Sequence, residues 1–222
     1  MPPDAGRPRV LTLRCRACRR ALPAASNDVA FRCPQCGRGW EIAETELAER
    51  ASFHVAPPVE AGHPVLYLPY WSFMVAASAE PIDSADEAKL TARDRAAATR
   101  RAWVAAYAIH RPSYVGEWGL AYTRIQPKWE PQKGRGPESS GAATSSHDAA
   151  AIARHYVLAE IDRVADLGGL DVTVRMGEPE LWAIPCLDLG TQIRCPWTRA
   201  ELPASALDDL SEIRRAGERL EA

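Results

Sequence analysis

Four of the six cysteines occur as two Cys-x-x-Cys pairs, the first at Cys15 and Cys18 and the second at Cys33 and Cys36. Fourteen residues separate the pairs, which is enough for two short strands and a turn. A tight turn at each pair would direct two thiolates to one ion, and two such turns complete a tetrahedron. The spacing therefore predicts one Zn²⁺ held by these four cysteines. Such a site leaves no position for a substrate, so its predicted role is structural.

The second pair lies within Cys33-Pro34-Gln35-Cys36-Gly37, and this motif resembles one half of the zinc-ribbon family. The likeness covers about 35 of the 222 residues. Short strands are expected to lead into the two pairs at Val10–Arg14 and Val29–Arg32. A rubredoxin-like iron site is the alternative. Such sites usually have glycine after both pairs, whereas Arg19 follows the first pair here.

Arginines surround the cysteine pairs, at Arg14, Arg16, Arg19, Arg20, Arg32 and Arg38. Guanidinium groups match the geometry of phosphates, so these six residues are candidate nucleic-acid-binding residues. The chain uses 24 Arg and three Lys, however, and a solvated basic face on an Arg-rich protein is the competing interpretation. Residues 1–40 carry a formal charge of +6 and the remainder −8.

The other two cysteines, Cys186 and Cys195, lack a Cys-x-x-Cys partner. Buried apolar thiols are the favoured interpretation. A second metal site that adds a histidine to these cysteines stays open, with five candidates: His54, His63, His110, His147 and His155. No His-Glu-x-x-His grouping, phosphate-binding loop, dinucleotide fingerprint or Gly-x-Ser-x-Gly elbow is present. The sequence therefore favours a protein that is not an enzyme.

The organisation predicted along the chain has four parts. They are a disordered tail over 1–9, the cysteine module over 10–44, a linker with a helix-like start over 45–59, and a body over 60–222 with a flexible loop around 128–147. Short β-branched and aromatic runs predict strands at Val65–Ala76, Ala102–His110, Leu170–Met176 and Glu180–Leu187. Apolar periodicity predicts helices over 148–167 and 204–221, and residues 80–100 have the composition of a third. The fold class is α+β: a four-cysteine zinc ribbon, then a mainly antiparallel-sheet domain with two or three helices.

Residues Val65–Phe73 contain Leu68-Pro69-Tyr70-Trp71. This segment resembles one that follows zinc ribbons in some uncharacterised bacterial proteins, and the resemblance implies no activity. The longest apolar stretch, Val65–Ala79, is too short to span a bilayer as a helix. No secretory signal pattern is visible. A cytoplasmic protein with reduced thiols is therefore expected, without membrane insertion.

Together these patterns favour a non-enzymatic zinc-binding protein that serves as a protein-interaction adapter or scaffold in a bacterial-type cytoplasmic complex. Its expected partner is another protein. The alternative is a nucleic-acid-binding protein that uses the Arg-rich ribbon, and an enzyme with its pocket in the body is the third hypothesis.

Overall fold

A computed structural model describes residues 11–44, 46–57, 62–110, 113–208, 210–211 and 213–214. The expected tail over 1–9 lies outside the described residues. Within them, eight strands are β1 (Ala30–Arg32), β2 (Gly39–Ala43), β3 (Glu46–His54), β4 (Val65–Pro81), β5 (Arg101–Ala105), β6 (Leu170–Asp188), β7 (Gln192–Arg194) and β8 (Glu201–Pro203). Three α-helices are α1 (Glu87–Ala98), α2 (Ser113–Ile125) and α3 (Ser146–Asp162).

The strands form one mixed sheet in the order β1-β2-β3-β6-β4-β5, and β7 pairs with both β6 and β8. β3 and β6 are parallel, whereas the other paired strands are antiparallel. The predicted α+β class is therefore confirmed. The strands of the cysteine module belong to the same sheet as the body, so the two predicted units are joined through continuous hydrogen bonding.

Residues 46–54 form β3, where the sequence predicted a linker. The first half of β3 pairs with β2 and the second half with β6. Glu46, Leu47, Ala48 and Glu49 favour a helix locally, but their pairing with β2 overrides that preference. Residues 46–54 of the predicted linker over 45–59 are therefore a strand of the sheet, without the helix-like start that was expected.

The two longest strands, β4 and β6, form the centre of the sheet. β6 runs without interruption through the segment where the sequence predicted a break between Leu170–Met176 and Glu180–Leu187. Opposite that segment, the ladder shifts its register between Phe73 and Val75. This irregularity accommodates Gly177 and Glu178, which lie between the paired residues Met176 and Pro179.

Two prolines lie inside the central ladder, with Pro69 opposite Ala183 and Pro185 opposite Tyr67. Hydrogen-bonded pairs alternate along an antiparallel ladder, and Asp188 N–H donates to Pro64 O. That alternation places both prolines at positions that need no donor towards the partner strand. Their missing N–H groups face outward instead, where β5 and β3 have ended. The prolines thus limit the neighbouring strands without interrupting β4 or β6.

Both faces of the central strands are covered, which explains the nearly continuous apolar run at Val65–Phe73. One face packs Leu66, Leu68 and Tyr70 against residues of α2, β7 and β8. The opposite face packs Trp71 and Phe73 against α1 and α3. The aromatic side chains of this run are therefore core residues.

Local signals predicted two of the three helices. Asp86 caps α1 and Ser145 caps α3, each with a side-chain oxygen that accepts a backbone N–H. The sequence did not predict α2, in which Gly119 lets the helix lie against β5; an added Cβ would sit 2.6 Å from Trp103 O. Of the helix predicted over 204–221, residues 209, 212 and 215–222 lie outside the described residues, and Ala204–Ala206 form a 3-10 turn. None of the described helices is long and apolar enough to cross a membrane.

Candidate metal centre

Each Cys-x-x-Cys pair lies in a turn with the same backbone hydrogen bonds. In the first turn Cys15 N–H donates to Arg20 O, and Arg19 N–H donates to Cys15 O, both at 2.8 Å. In the second, the equivalent bonds join Cys33 with Arg38 at 2.9 Å and Gly37 with Cys33 at 2.8 Å. The fifth residue of each turn has positive φ, 63° at Arg19 and 73° at Gly37. An arginine therefore adopts the left-handed conformation that glycine provides in the second turn.

These turns bring the four predicted ligands together. The sulfur atoms of Cys15, Cys18, Cys33 and Cys36 all lie within 4.8 Å of one another. Two of the sulfur pairs, Cys15–Cys36 and Cys18–Cys33, are each separated by 3.5 Å. A tetrahedron with Zn–S bonds of about 2.3 Å has edges of about 3.8 Å. The cluster is therefore compatible with one tetrahedral metal ion.

The surroundings affect the thiols in two opposing ways. Burial raises the pKa of Cys33 to about 12, against the lowering effect of the Cys36 and Gln35 amides. For Cys15 burial also opposes ionisation, but the amides of Cys18 and Ala17 outweigh it and lower the pKa to about 7. A bound cation deprotonates coordinating thiols outright. The amides that point at the sulfurs then stabilise the thiolates.

The second turn packs directly on residues 132–144, which we call the strap. Gly136 N–H approaches Pro34 O at 3.4 Å, and a Cβ on Gly37 would lie 1.8 Å from Gly134 O. The strap also pairs with β1 at Ala142 and with β3 at Gln132. The predicted loop at 128–147 thus lacks helix or strand up to the start of α3, but its backbone is tied to the metal centre and to the body.

Arg32 holds the strap in place through hydrogen bonds from a buried guanidinium. This residue is only 2 % exposed, and its guanidinium donates to Gly134 O at 2.7 Å and Pro137 O at 3.1 Å. A third bond joins Arg32 Nη2 to His54 Nδ1 at 3.0 Å. Burial and the Arg32 charge lower the pKa of His54, which keeps the ring neutral and Nδ1 available as the acceptor.

No carboxylate among the described residues forms an ion pair with Arg32, and its Nε has no hydrogen-bond partner there. Burial lowers the pKa of Arg32 to about 10, while the charges of Cys33 and Cys36 raise it. Four thiolates around Zn²⁺ carry a net charge of −2. A buried cation beside the cysteines is electrostatically compatible with such an anionic centre.

The structure divides the six candidate nucleic-acid-binding arginines into three groups. Arg32 is buried and bonded inside the protein, so it contributes nothing to a surface. Arg16 pairs with Glu46, and Arg38 pairs with Glu49. Within the described residues, the ones without an ion-pair partner are Arg14, Arg19 and Arg20.

A third turn, which was not expected from the sequence, repeats the backbone of the two Cys-x-x-Cys turns, which we call the metal-site turns. Cys195 N–H donates to Ala200 O and Arg199 N–H to Cys195 O, both at 2.9 Å, and Arg199 has φ 58°. Thr198 N–H donates to Cys195 Sγ at 3.3 Å, and Thr198 stands where the other turns have their second cysteine. The shared Cys-Pro start of Cys195-Pro196 and Cys33-Pro34 was the available signal.

Cys195 and Cys186 are both fully buried, as expected for apolar thiols. Tyr122 Oη lies 3.0 Å from Cys195 Sγ. Among the described residues, the four N-terminal cysteines are the one group of three or more Cys, His, Asp or Glu side chains close enough to share a metal. The second metal site that the sequence left open is therefore not assembled by these residues.

Comparison of the whole chain with protein families, curated proteins and solved structures finds no match.

Proposed function

We infer that this chain is a zinc protein without catalytic activity, in which the metal holds an N-terminal ribbon on the sheet of the body so that the ribbon binds another protein. The observation that carries this inference is the convergence of four sulfurs within 4.8 Å. Four thiolates fill the coordination sphere of zinc, so the ion serves the fold. Binding of such an ion contributes on the order of 10 kcal/mol to the folded state.

The two metal-site turns differ in their surroundings, and this difference supports an adapter role. The second turn packs against the strap, whereas Arg16, Ala17, Arg19 and Arg20 of the first turn are exposed. The metal thus rigidifies a turn that is presented to solvent. A preorganised surface loses less conformational entropy when it binds a partner.

Elemental analysis tests the metal directly, and one zinc per chain is expected. Cys33→Ser should abolish zinc retention, since it removes a buried ligand. Cys195→Ser is the matched control, because it makes the same change in a turn of the same backbone geometry outside the sulfur cluster. Equal zinc content in both variants, or iron in the native protein, would contradict the assignment.

Affinity purification from the source cells tests the adapter role. The native chain and Cys195→Ser should retain the same stoichiometric partner, and Cys33→Ser should lose it together with the zinc. A partner retained equally by Cys33→Ser would show that the ribbon is not the binding surface. Turnover of a substrate by the purified chain would refute the non-enzymatic assignment.

Nucleic-acid binding is the second candidate, favoured by the three arginines around the first turn that have no ion-pair partner among the described residues. Such binding should weaken steeply as salt rises. Arg19→Glu with Arg20→Glu should abolish it, whereas Arg38→Glu, which removes an arginine already paired with Glu49, should matter less. Absence of binding at low salt would eliminate this candidate.

A further inference from the structure

The N-terminal half of β6 has an open edge. Between Leu170 and Pro179 this strand pairs with β4 on one side. On its other side, β3 begins to pair only at Glu180, and no other described strand occupies that edge. A row of unpaired backbone donors and acceptors at a sheet edge is a template for pairing with another strand.

The backbone alternation shows which groups are available at this edge. Ile82 N–H donates to Gly169 O at 3.1 Å, and the register places Ser78 opposite Thr173. Since hydrogen-bonded pairs alternate, Asp171, Thr173 and Arg175 bond to β4. The N–H and C=O groups of Val172 and Val174 therefore point to the open side.

We propose that a second copy of this chain pairs with this edge, antiparallel and centred on Thr173, so that two sheets join about a two-fold axis. In this register Val172 of one copy exchanges backbone bonds with the partner's Val174. The outward-pointing groups of both strands are then the ones that meet. In a register displaced by one residue, the outward-pointing N–H and C=O groups of one copy would face residues of the other copy whose N–H and C=O groups already bond to β4. The hydrogen-bonding pattern of the backbone therefore excludes that register.

The side chains in this register are complementary. Asp171 lies opposite the partner's Arg175, and by symmetry this pair occurs twice. Both residues are exposed, and neither has an ion-pair partner among the described residues. They occupy non-hydrogen-bonded positions, where cross-strand side chains are closest. Opposite charges there stabilise the pairing of strands.

The apolar side chains agree with the same arrangement. Val172 and Met176 on the other face are half-buried and pack against the core that α1 and α3 cover. In the dimer Val172 would meet the partner's Val174, and Met176 would meet the partner's Leu170. An isologous contact of this kind closes after two copies, which protects the edge from open-ended association.

Sedimentation equilibrium across a concentration series of the full zinc-loaded chain tests the proposal, and a monomer–dimer equilibrium is expected. Arg175→Glu turns two attractive pairs into two repulsive pairs and should raise the dimer dissociation constant about tenfold or more. The double variant Asp171→Arg with Arg175→Asp exchanges the charges and should restore dimerisation to nearly the native level. Arg154→Glu, an exposed change on α3, is the control and should have no effect.

Three outcomes would overturn the proposal. The first is a chain that stays monomeric at every concentration. The second is an equal dimer dissociation constant for Arg175→Glu and Arg154→Glu, which would place the interface elsewhere. The third is a double variant that dimerises no better than Arg175→Glu. Circular dichroism of each variant should match the native spectrum, because all the substituted side chains are exposed.

Discussion

Replacing Arg32 with Met should detach the strap from the metal centre. The substitution keeps an unbranched side chain in place of the apolar stem but removes the donors to Gly134 O, Pro137 O and His54 Nδ1. Each of these acceptors loses a charged partner, two of them in a buried environment and Gly134 O in a partly buried one. Because the strap connects the second metal-site turn to β1 and β3, its release should also weaken zinc binding.

The loss of stability expected for Arg32→Met follows from the hydrogen bonds that Arg32 makes. Loss of a hydrogen bond to a charged group costs about 1.5–3 kcal/mol, and three such bonds would give more than 4 kcal/mol. Met no longer has to bury a guanidinium, however, which offsets part of this loss. We expect a net destabilisation of about 3 kcal/mol, which for a chain of this size lowers Tm by about 6–12 °C.

Thermal denaturation of the zinc-loaded protein, followed by circular dichroism, measures this difference. Arg38→Met is the matched control at the other end of the same turn. Its ion pair with Glu49 is about half exposed and should be worth less than about 1 kcal/mol. Limited proteolysis should cut the strap faster in Arg32→Met than in Arg38→Met. Equal Tm values and equal cleavage rates for the two variants would refute the proposed role of Arg32.

Two further predictions concern packing and pH. Gly37→Ala would place a Cβ 1.8 Å from Gly134 O in a residue with φ 73°, so it should lower the free energy of unfolding by more than about 2 kcal/mol. Gly134→Ala is the control, because its Cβ would have no atom within 4 Å and only its φ of 84° is unfavourable, which should lower this free energy by about 1 kcal/mol. A urea titration measures both values. Glu160 is 3 % exposed; burial opposes its ionisation, but bonds from Arg124 and Arg163 outweigh this and lower its pKa. Glu160→Gln should therefore cost about 2 kcal/mol at neutral pH. This contribution to stability is complete above the unfolded-state pKa of Glu160 and is lost as pH falls through its folded-state pKa. The free energies of unfolding of the native chain and of Glu160→Gln should therefore become equal in acid. A difference in stability that stays constant across the pH range would contradict the assignment.

The helices and strands show where local sequence information was sufficient. α3 was predicted from the apolar periodicity of residues 148–167 and α1 from the composition of residues 80–100, and both are local features of the sequence. α2 was not, because its aromatic residues and Gly119 have low helix propensity and are favoured only by packing against β5. The break predicted inside β6 failed for a similar reason: Gly177 and Pro179 suggest a turn locally, but the β4 ladder holds them in a strand.

The candidate metal centre also combines features that local sequence predicts with features that depend on tertiary packing. The spacing of Cys15, Cys18, Cys33 and Cys36 was enough to predict their convergence, since each turn closes through bonds between residues at most five apart. Cys195 has the same turn, yet its sulfur lies in an aromatic core. Nothing near Cys195 in the sequence indicates this outcome, because it depends on Tyr122 and on the pairing of β7 with β6.

By itself, then, the sequence determined the convergence of the four cysteine sulfurs, the α+β class and the apolar central strands, because these depend on short-range turns and on short runs of β-branched, aromatic and apolar residues. Only the tertiary structure decided that residues 46–54 complete the sheet, that the polar segment 132–144 is tied down, and that Arg32 is internal while the other five candidate arginines are exposed. The physical reason is distance along the chain. Arg32 is more than 100 residues from Gly134 and Pro137, and a bond between such residues exists only after the sheet has brought them together.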